Sequence, residues 1–234
     1  MLSGKIALIT GASGGIGAAI AKQYAKEGAH VILLGRDLKK LEAVDDIIKV
    51  FEGESTIISF DITEFDKIPS LASTISNHFG KLDILISGAT FMHDLSMLVD
   101  YTEESWHLTF NTNLHANWYL IKHFDPLLKV SEAGRAIFIS SEVMDMDNLS
   151  FWGPYAIAKS ALTSMVKIYA EETKHTNIKS NLVIPGPVAT KTYQKSYPGQ
   201  DMSLIGQPDD LVDVFLRLAS DQCRFSGKTH YAQY

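Results

Sequence analysis

The chain has 234 residues, 46% of them hydrophobic, which suits one domain with a substantial buried core. Its formal charge of −6 argues against general nucleic-acid binding, which relies on a basic surface. No apolar run is long enough for a membrane span, and the amino terminus lacks the features of a signal peptide, so neither nucleic acid nor membrane is expected as a partner. The single cysteine, Cys223, cannot form an internal disulfide and favours a cytoplasmic location.

Short runs rich in valine, isoleucine and leucine alternate with longer segments of helical period. Strands are predicted at 5–10, 30–35, 55–60, 82–87, 135–140 and 179–184. Helices are predicted at 16–28, 38–51, 65–79, 103–129, 153–175 and about 209–220, before a short final strand. Strands that are apolar throughout indicate a parallel sheet covered on both faces. The pattern predicts an α/β protein with a three-layer doubly wound Rossmann fold, a mostly parallel seven-stranded sheet and a single domain over 1–234.

Residues 191–207 show no strong period, and we expect them to form a loop near the substrate. A mobile lid and an inert surface loop are both compatible with this composition.

A glycine-rich turn follows the first predicted strand and opens the first helix. Its candidate phosphate-binding residues are Gly11, Ser13, Gly14, Gly15, Ile16 and Gly17. Glycines leave no Cβ between the backbone and a pyrophosphate, and the first free N–H groups of a helix attract an anion. The strand–turn–helix context therefore predicts nucleotide binding.

Tyr155 and Lys159 lie four residues apart within a predicted helix, so they share one face. An ammonium beside a phenol favours the phenolate, which can take or return a proton during hydride transfer. Ser141, at the end of the preceding strand, can donate a hydrogen bond to the same substrate oxygen. Ser140 is the competing serine, although strand alternation turns it away from Ser141. The set predicts hydride transfer at a carbonyl or an alcohol.

The glycine spacing, joined to Tyr-x-x-x-Lys, resembles the compact form of the short-chain dehydrogenase/reductase superfamily. Short segments such as Ile32–Arg36 and Phe151–Tyr155 are similar to segments of YciK-type bacterial oxidoreductases. The resemblance covers nearly the whole chain and implies catalysis by Ser141, Tyr155 and Lys159, with Asn113 as the fourth catalytic residue. It further implies a cofactor site that includes Tyr155, Lys159, Asp61, Ile62, Ala89, Pro185, Gly186, Val188 and Thr190. The resemblance also implies that the chain forms a homotetramer or homodimer.

The cofactor preference depends on the end of the second predicted strand. NAD-dependent relatives carry an acid there, whereas this chain has Gly35 followed by Arg36. A guanidinium can pair with the 2′-phosphate of NADP(H), so NADP(H) is favoured and NAD(H) is the alternative. Arg36 could instead be a solvated charge. Asp37 could accept the ribose hydroxyls, but its place before a helical run makes it a better helix N-cap.

The chain departs from the superfamily at 87–90, where Ser-Gly-Ala-Thr replaces the usual Asn-Asn-Ala-Gly. Gly88 cannot make the side-chain bonds of an asparagine, and Thr90 adds a side chain where the cofactor approaches. We therefore expect either weaker cofactor binding or a different loop path. A catalytically weak nucleotide-binding scaffold or sensor is the alternative function. A sugar-nucleotide epimerase or dehydratase is not expected, because only about fifty residues follow Pro185 and such enzymes need an added carboxy-terminal substrate domain.

The substrate is expected to be a small carbonyl or alcohol compound. By position, 91–99, 142–152 and 191–205 should line its cleft, with Glu142 among the acids that disfavour anionic substrates. The eight histidines have no metal-ligand spacing, so no metal is expected.

Overall fold

The computed structural model describes residues 1–232. Its strands are β1 (Ile6–Thr10), β2 (His30–Gly35), β3 (Glu54–Ser59), β4 (Ile84–Ser87), β5 (Arg135–Ile139), β6 (Lys179–Ile184) and β7 (Thr229–Tyr231). They form one sheet in the order β3-β2-β1-β4-β5-β6-β7, and every neighbouring pair is parallel. The predicted seven-stranded doubly wound fold is confirmed, and the sheet of the described residues is parallel throughout.

The helices are α1 (Gly15–Lys26), α2 (Leu38–Val50), α3 (Ile68–Phe79), α4 (Glu103–Phe110), α5 (Ala116–Val130), α6 (Gly153–Glu172), α7 (Lys191–Ser196) and α8 (Val212–Ala219). One buried cluster joins α1, α2 and α8 to the sheet, and a second joins α3, α5 and α6 to it. Neighbouring strand residues alternate between the clusters: Ile9 packs into the first and Leu8 into the second. Because both faces are covered, the central strands β1 and β4 are apolar at every position except their last residues, Thr10 and Ser87.

The strand order reverses between β1 and β4. The chain winds toward β3 on one side of this point and toward β7 on the other, so the turns leaving β1 and β4 diverge and open a crevice. Ligands of doubly wound sheets bind at such a reversal, outside the carboxyl ends of the strands. No helix in the part of the chain described is both long and apolar enough to cross a membrane.

The helix predicted at 103–129 is interrupted by a π turn at Asn111–His115 between α4 and α5. The cause lies in two side-chain amides: Asn113 Nδ2 donates to the carbonyl oxygen of Thr109 at 2.8 Å, and Asn117 Nδ2 donates to that of Asn113 at 2.9 Å. Side chains that bond to a carbonyl one turn earlier compete with the helical ladder. The wider turn therefore follows from asparagine chemistry, which hydrophobic periodicity does not reveal.

The region expected to be a loop at 191–207 contains a short helix, α7. The Thr190 hydroxyl accepts a hydrogen bond from Tyr193 N at 3.1 Å and caps it. Downstream, Ala189 N donates to the Gly206 carbonyl oxygen at 2.9 Å, which ties the two ends of the segment together. A helix of 6 residues is too short for a detectable hydrophobic period, so the sequence pattern did not predict α7.

Candidate active site

A cavity of about 500 Å³ lies where the turns after β1, β2, β4, β5 and β6 meet the start of α6. Most residues expected at the site lie on its wall: Gly11, Ser13, Gly14, Gly15, Ile16, Gly17, Arg36, Ser141, Tyr155, Lys159, Pro185, Gly186, Val188 and Thr190. Asn113, Asp61, Ile62 and Ala89 do not line it. Asn113 is fully buried, while Ile62 and Ala89 pack into the second hydrophobic cluster.

The glycine-rich turn presents the open end of α1 to the cavity. Gly14 is the N-cap residue, no side chain caps this end, and no acid lies in the first turn. The first amide N–H groups of a helix lack partners within the helix and carry the positive end of its dipole. The turn therefore suits a pyrophosphate, and these residues fit the phosphates of a dinucleotide cofactor.

Two glycines allow this turn to fold tightly. A Cβ on Gly17 would lie 2.4 Å from the Gly11 carbonyl oxygen. A Cβ on Gly11, whose φ is +73°, would lie 2.9 Å from the Gly88 carbonyl oxygen. Both distances are far below van der Waals contact, so a larger residue at either position must displace backbone. Gly14, in contrast, has no atom within 4 Å of an added Cβ.

Tyr155 and Lys159 lie side by side on α6, and both are almost completely buried. The Lys159 Nζ atom is 5.7 Å from the centre of the Tyr155 ring and donates a hydrogen bond to the Ile139 carbonyl oxygen at 2.9 Å. Burial disfavours the charged form of each group. It raises the pKa of Tyr155 above 10.0 and lowers that of Lys159 from 10.5 to about 8. Desolvation thus favours the neutral form of both groups.

Ser141 and Thr90 oppose the effect of burial on Tyr155. Their side-chain hydroxyls hydrogen-bond with Tyr155 and lower its pKa, although burial is the larger effect. Ser141 is also the N-cap residue of a short 3₁₀ turn at Glu142–Asp145. Ser140 points elsewhere, because its hydroxyl is 3.2 Å from the Met144 sulfur. Of the two serines, Ser141 is therefore the one that contacts the tyrosine.

Asn113 holds the turn after β4 with every polar atom of its side chain. Its Nδ2 donates to the Phe91 carbonyl oxygen at 2.6 Å, in addition to its bond with Thr109. Its Oδ1 accepts from the Thr90 hydroxyl at 2.7 Å and from Phe91 N at 3.4 Å. Since Thr90 also contacts Tyr155, Asn113 holds the threonine that contacts this tyrosine.

The turn at 87–90 is anchored by bonds that the sequence did not reveal. The Ser87 hydroxyl donates to Asn117 Oδ1 at 2.6 Å, and the Thr10 hydroxyl accepts from Gly88 N and Ala89 N, each at 3.1 Å. The asparagine missing from the turn is replaced by one on α5. The spacing of four residues between Asn113 and Asn117 was the available sequence signal, because it places both amides on one helix face.

At the end of β2, the exposed Arg36 guanidinium lies on the cavity wall. Its Nη1 atom is 3.6 Å from Asp61 Oδ2, while Asp61 Oδ1 accepts two hydrogen bonds from Thr63. Asp37 caps α2 by accepting from Lys40 N at 3.2 Å, as its place before a helical run predicted. A long, exposed ion pair leaves the guanidinium free to contact a phosphate.

Comparisons with known proteins agree with this geometry. The family model for short chain dehydrogenases matches residues 5–201. The uncharacterized oxidoreductase YciK of Escherichia coli K12 is 31% identical over 237 residues, which cover 100% of this chain and 93% of that protein. A short chain dehydrogenase from Salmonella enterica serovar Typhi superposes with a TM-score of 0.94 at 30% identity, covering 100% of this chain and 97% of the other.

A second solved structure contains a cofactor. It is a short chain dehydrogenase from Escherichia coli CFT073 complexed with NADPH, with a TM-score of 0.92, 30% identity, and coverage of 100% of this chain and 98% of the other.

Among residues 1–232, no group of three or more histidine, cysteine, aspartate or glutamate side chains could hold a metal ion.

Gly17→Ala is expected to weaken both folding and nucleotide binding, because the added Cβ must displace the Gly11 carbonyl. Overpacking of this kind costs about 1–3 kcal/mol, which lowers the melting temperature by about 2–4 °C per kcal/mol in a chain of this size. Thermal unfolding and NADPH titration measure both effects. Gly199→Ala is the matched control and should leave both unchanged, since its Cβ meets open space and the residue does not line the cavity. Parent-like behaviour of Gly17→Ala would contradict the account of the turn.

Proposed function

Since the chain belongs to the short-chain dehydrogenase/reductase family of NAD(P)-dependent oxidoreductases, we propose that it reduces a carbonyl substrate with NADPH. The reverse reaction oxidises the corresponding alcohol. The observation that carries this proposal is the convergence of Ser141, Tyr155 and Lys159 on one cavity wall, which they share with the glycine-rich turn. A cofactor held by this turn would lie in the same cavity as the substrate oxygen and the proton donor.

In the proposed reaction, bound NADPH supplies a hydride to the carbonyl carbon. Ser141 Oγ donates a hydrogen bond to the substrate oxygen and stabilises the negative charge that develops there. Tyr155 Oη then gives its proton to that oxygen, and its phenolate is stabilised by the Lys159 ammonium. The product is the neutral alcohol.

The charge balance of the site supports reduction over oxidation. Burial raises the pKa of Tyr155, so the phenol keeps its proton at neutral pH and is ready to act as an acid. Burial also lowers the pKa of Lys159 to about 8, so its positive charge is lost at the higher pH that would favour a phenolate. Alcohol oxidation needs that phenolate before hydride leaves, whereas carbonyl reduction does not.

NADP(H) is the proposed cofactor because Arg36 stands at the end of β2 without a strong ion pair. Asp37, the alternative acceptor for ribose hydroxyls, is occupied as the N-cap of α2. The NADPH complex of the Escherichia coli CFT073 relative supports the same choice.

The alternative of a catalytically weak scaffold rested on the unusual turn at 87–90. That turn is firmly hydrogen-bonded to Thr10, Asn113 and Asn117, so its altered sequence does not favour a loss of function.

Tyr155→Phe should lower kcat for carbonyl reduction by about 10²-fold or more, the contribution of a positioned proton donor. NADPH binding should persist, because the ring remains in place. Steady-state kinetics and NADPH fluorescence titration measure these quantities. Tyr119→Phe, whose ring stacks on Phe65, is the control and should behave like the parent. Near-normal turnover by Tyr155→Phe would remove Tyr155 from its proposed role.

Arg36→Ala should weaken NADPH binding by about tenfold or more, equivalent to 1.4 kcal/mol, and leave NADH binding nearly unchanged. The reason is that only NADPH carries the 2′-phosphate that the guanidinium would contact. Calorimetric titration with each cofactor gives the ratio. Lys39→Ala removes an exposed charge on α2 that does not line the cavity, and it should preserve the ratio. An equal loss for both cofactors, or tighter NADH binding by the parent, would contradict the assignment.

Thr90→Val should raise the pKa of Tyr155, since valine keeps the β-branched shape but removes a hydroxyl that lowers this pKa. Reduction requires the protonated phenol, so its rate should persist to higher pH. Alcohol oxidation requires the phenolate, so its rate should begin to rise only at higher pH. The pH profiles of kcat/KM in both directions measure the shift, and Thr90→Ser should restore the parent profiles. An unchanged profile in Thr90→Val would exclude this contribution.

A further inference from the structure

The half of the cavity beyond the catalytic residues is walled by aromatic rings. Trp152 lies 6.3 Å from Tyr155 and 6.0 Å from Tyr197, measured between ring centres, and Tyr197 lies 4.8 Å from Tyr193. All four residues line the cavity. The rings form a row that begins at the proposed proton donor and leads outward along the substrate half.

One carboxylate stands in this aromatic half. Glu142 follows Ser141 in the chain, lines the cavity and is partly buried. No hydrogen bond or ion pair joins its side chain to any residue of the described range 1–232. Its charge reaches the Tyr197 phenol, where it adds to the effect of burial in raising the pKa. Glu142 therefore lies on the cavity wall near Tyr197, without a hydrogen-bond or ion-pair partner among residues 1–232.

None of the four cations that line the cavity, Arg36, Lys40, Lys159 and Lys191, pairs with Glu142, and the charge of Lys191 reaches Asp37 at the cofactor end. Lys195 pairs with Asp94 at 3.1 Å, Arg36 faces Asp61, and Lys159 donates to the Ile139 carbonyl oxygen. Lys40 pairs with Asp37 at the far, cofactor end. Asp145, the next acid along the chain, accepts from the Tyr231 hydroxyl at 2.9 Å and does not line the cavity.

A substrate that fills this half must take water away from Glu142. Covering a carboxylate with an apolar or anionic group is costly unless the incoming group compensates its charge. An organic cation compensates it directly and is also attracted to the faces of tryptophan and tyrosine. A neighbouring carboxylate on the substrate would be repelled, which disfavours anionic competitors.

We propose that the substrate is a carbonyl compound bearing an ammonium group close to the carbonyl, which Glu142 and the Trp152–Tyr197 wall bind while Ser141 and Tyr155 hold the oxygen. The inference rests on the proposed carbonyl reduction. Because Glu142 follows Ser141 in the chain and both line the same cavity, we expect the ammonium and carbonyl groups to lie near one another in the substrate. Amino ketones and trimethylammonio ketones meet this requirement.

The test compares three ketones of one carbon skeleton that carry a trimethylammonium, a neutral tert-butyl or a carboxylate group at the same position. Assays near pH 8 keep Glu142 ionised. The parent enzyme with NADPH should show the highest kcat/KM for the ammonium ketone and the lowest for the carboxylate. In Glu142→Gln, the ratio of ammonium to neutral kcat/KM should fall by about tenfold or more, the equivalent of one lost charge contact. Asp145→Asn should keep the parent ratio.

A binding measurement separates this inference from the proposed reaction. Calorimetry with phenyltrimethylammonium, which cannot react, should show binding to the NADPH-loaded parent and about tenfold weaker binding to Glu142→Gln. If binding follows this pattern but no ketone is reduced, the cation site stands and the proposed function fails. If ketones are reduced through Tyr155 without an ammonium preference, or if Glu142→Gln leaves the ratio unchanged, the cation site is wrong and the proposed function stands.

Discussion

The site depends on one contact between the turns that leave β1 and β4. There the Thr10 hydroxyl accepts hydrogen bonds from two successive amides, Gly88 N and Ala89 N, and Gly11 approaches Gly88 too closely for any side chain. This contact closes the floor of the crevice at the reversal of strand order. It fixes the glycine-rich turn on one side and places Thr90 beside Tyr155 on the other. The proposed cofactor-binding turn and the threonine beside the proposed proton donor are thus both positioned by the ends of β1 and β4.

Burial is the second constraint, and it shifts the pKa values of Tyr155 and Lys159 in opposite directions. Each group is pushed toward its neutral form, the phenol by a raised pKa and the amine by a lowered one. The hydroxyls of Ser141 and Thr90 compensate part of this effect at the tyrosine. In the proposed reaction, Tyr155 therefore keeps its proton until a substrate oxygen accepts it.

The sequence predicted what depends on repeated local pattern. Apolar runs gave the strands, and the spacing of Tyr155 and Lys159 gave the shared helix face. The π turn was not predictable in this way, because it arises from amide side chains that compete with the backbone. The sequence also could not show that Glu142 has no hydrogen-bond or ion-pair partner among residues 1–232, because residues from several elements around the cavity decide this. Asn113 was expected by resemblance alone, and it contacts Thr90 and Phe91 rather than the cavity. Compartment and oligomeric state stay predictions.

The bond between Ser87 and Asn117 has a consequence for how such a turn can change during evolution. The amide that anchors this turn stands on α5, at Asn117, and it accepts the hydrogen bond of the Ser87 hydroxyl at the strand end. Restoring asparagine at 87 alone would crowd two amides together, while removing Asn117 alone would leave a buried serine without an acceptor. Residues that share a hydrogen bond do not contribute independently, so a viable route between the two turn sequences must change both positions nearly together.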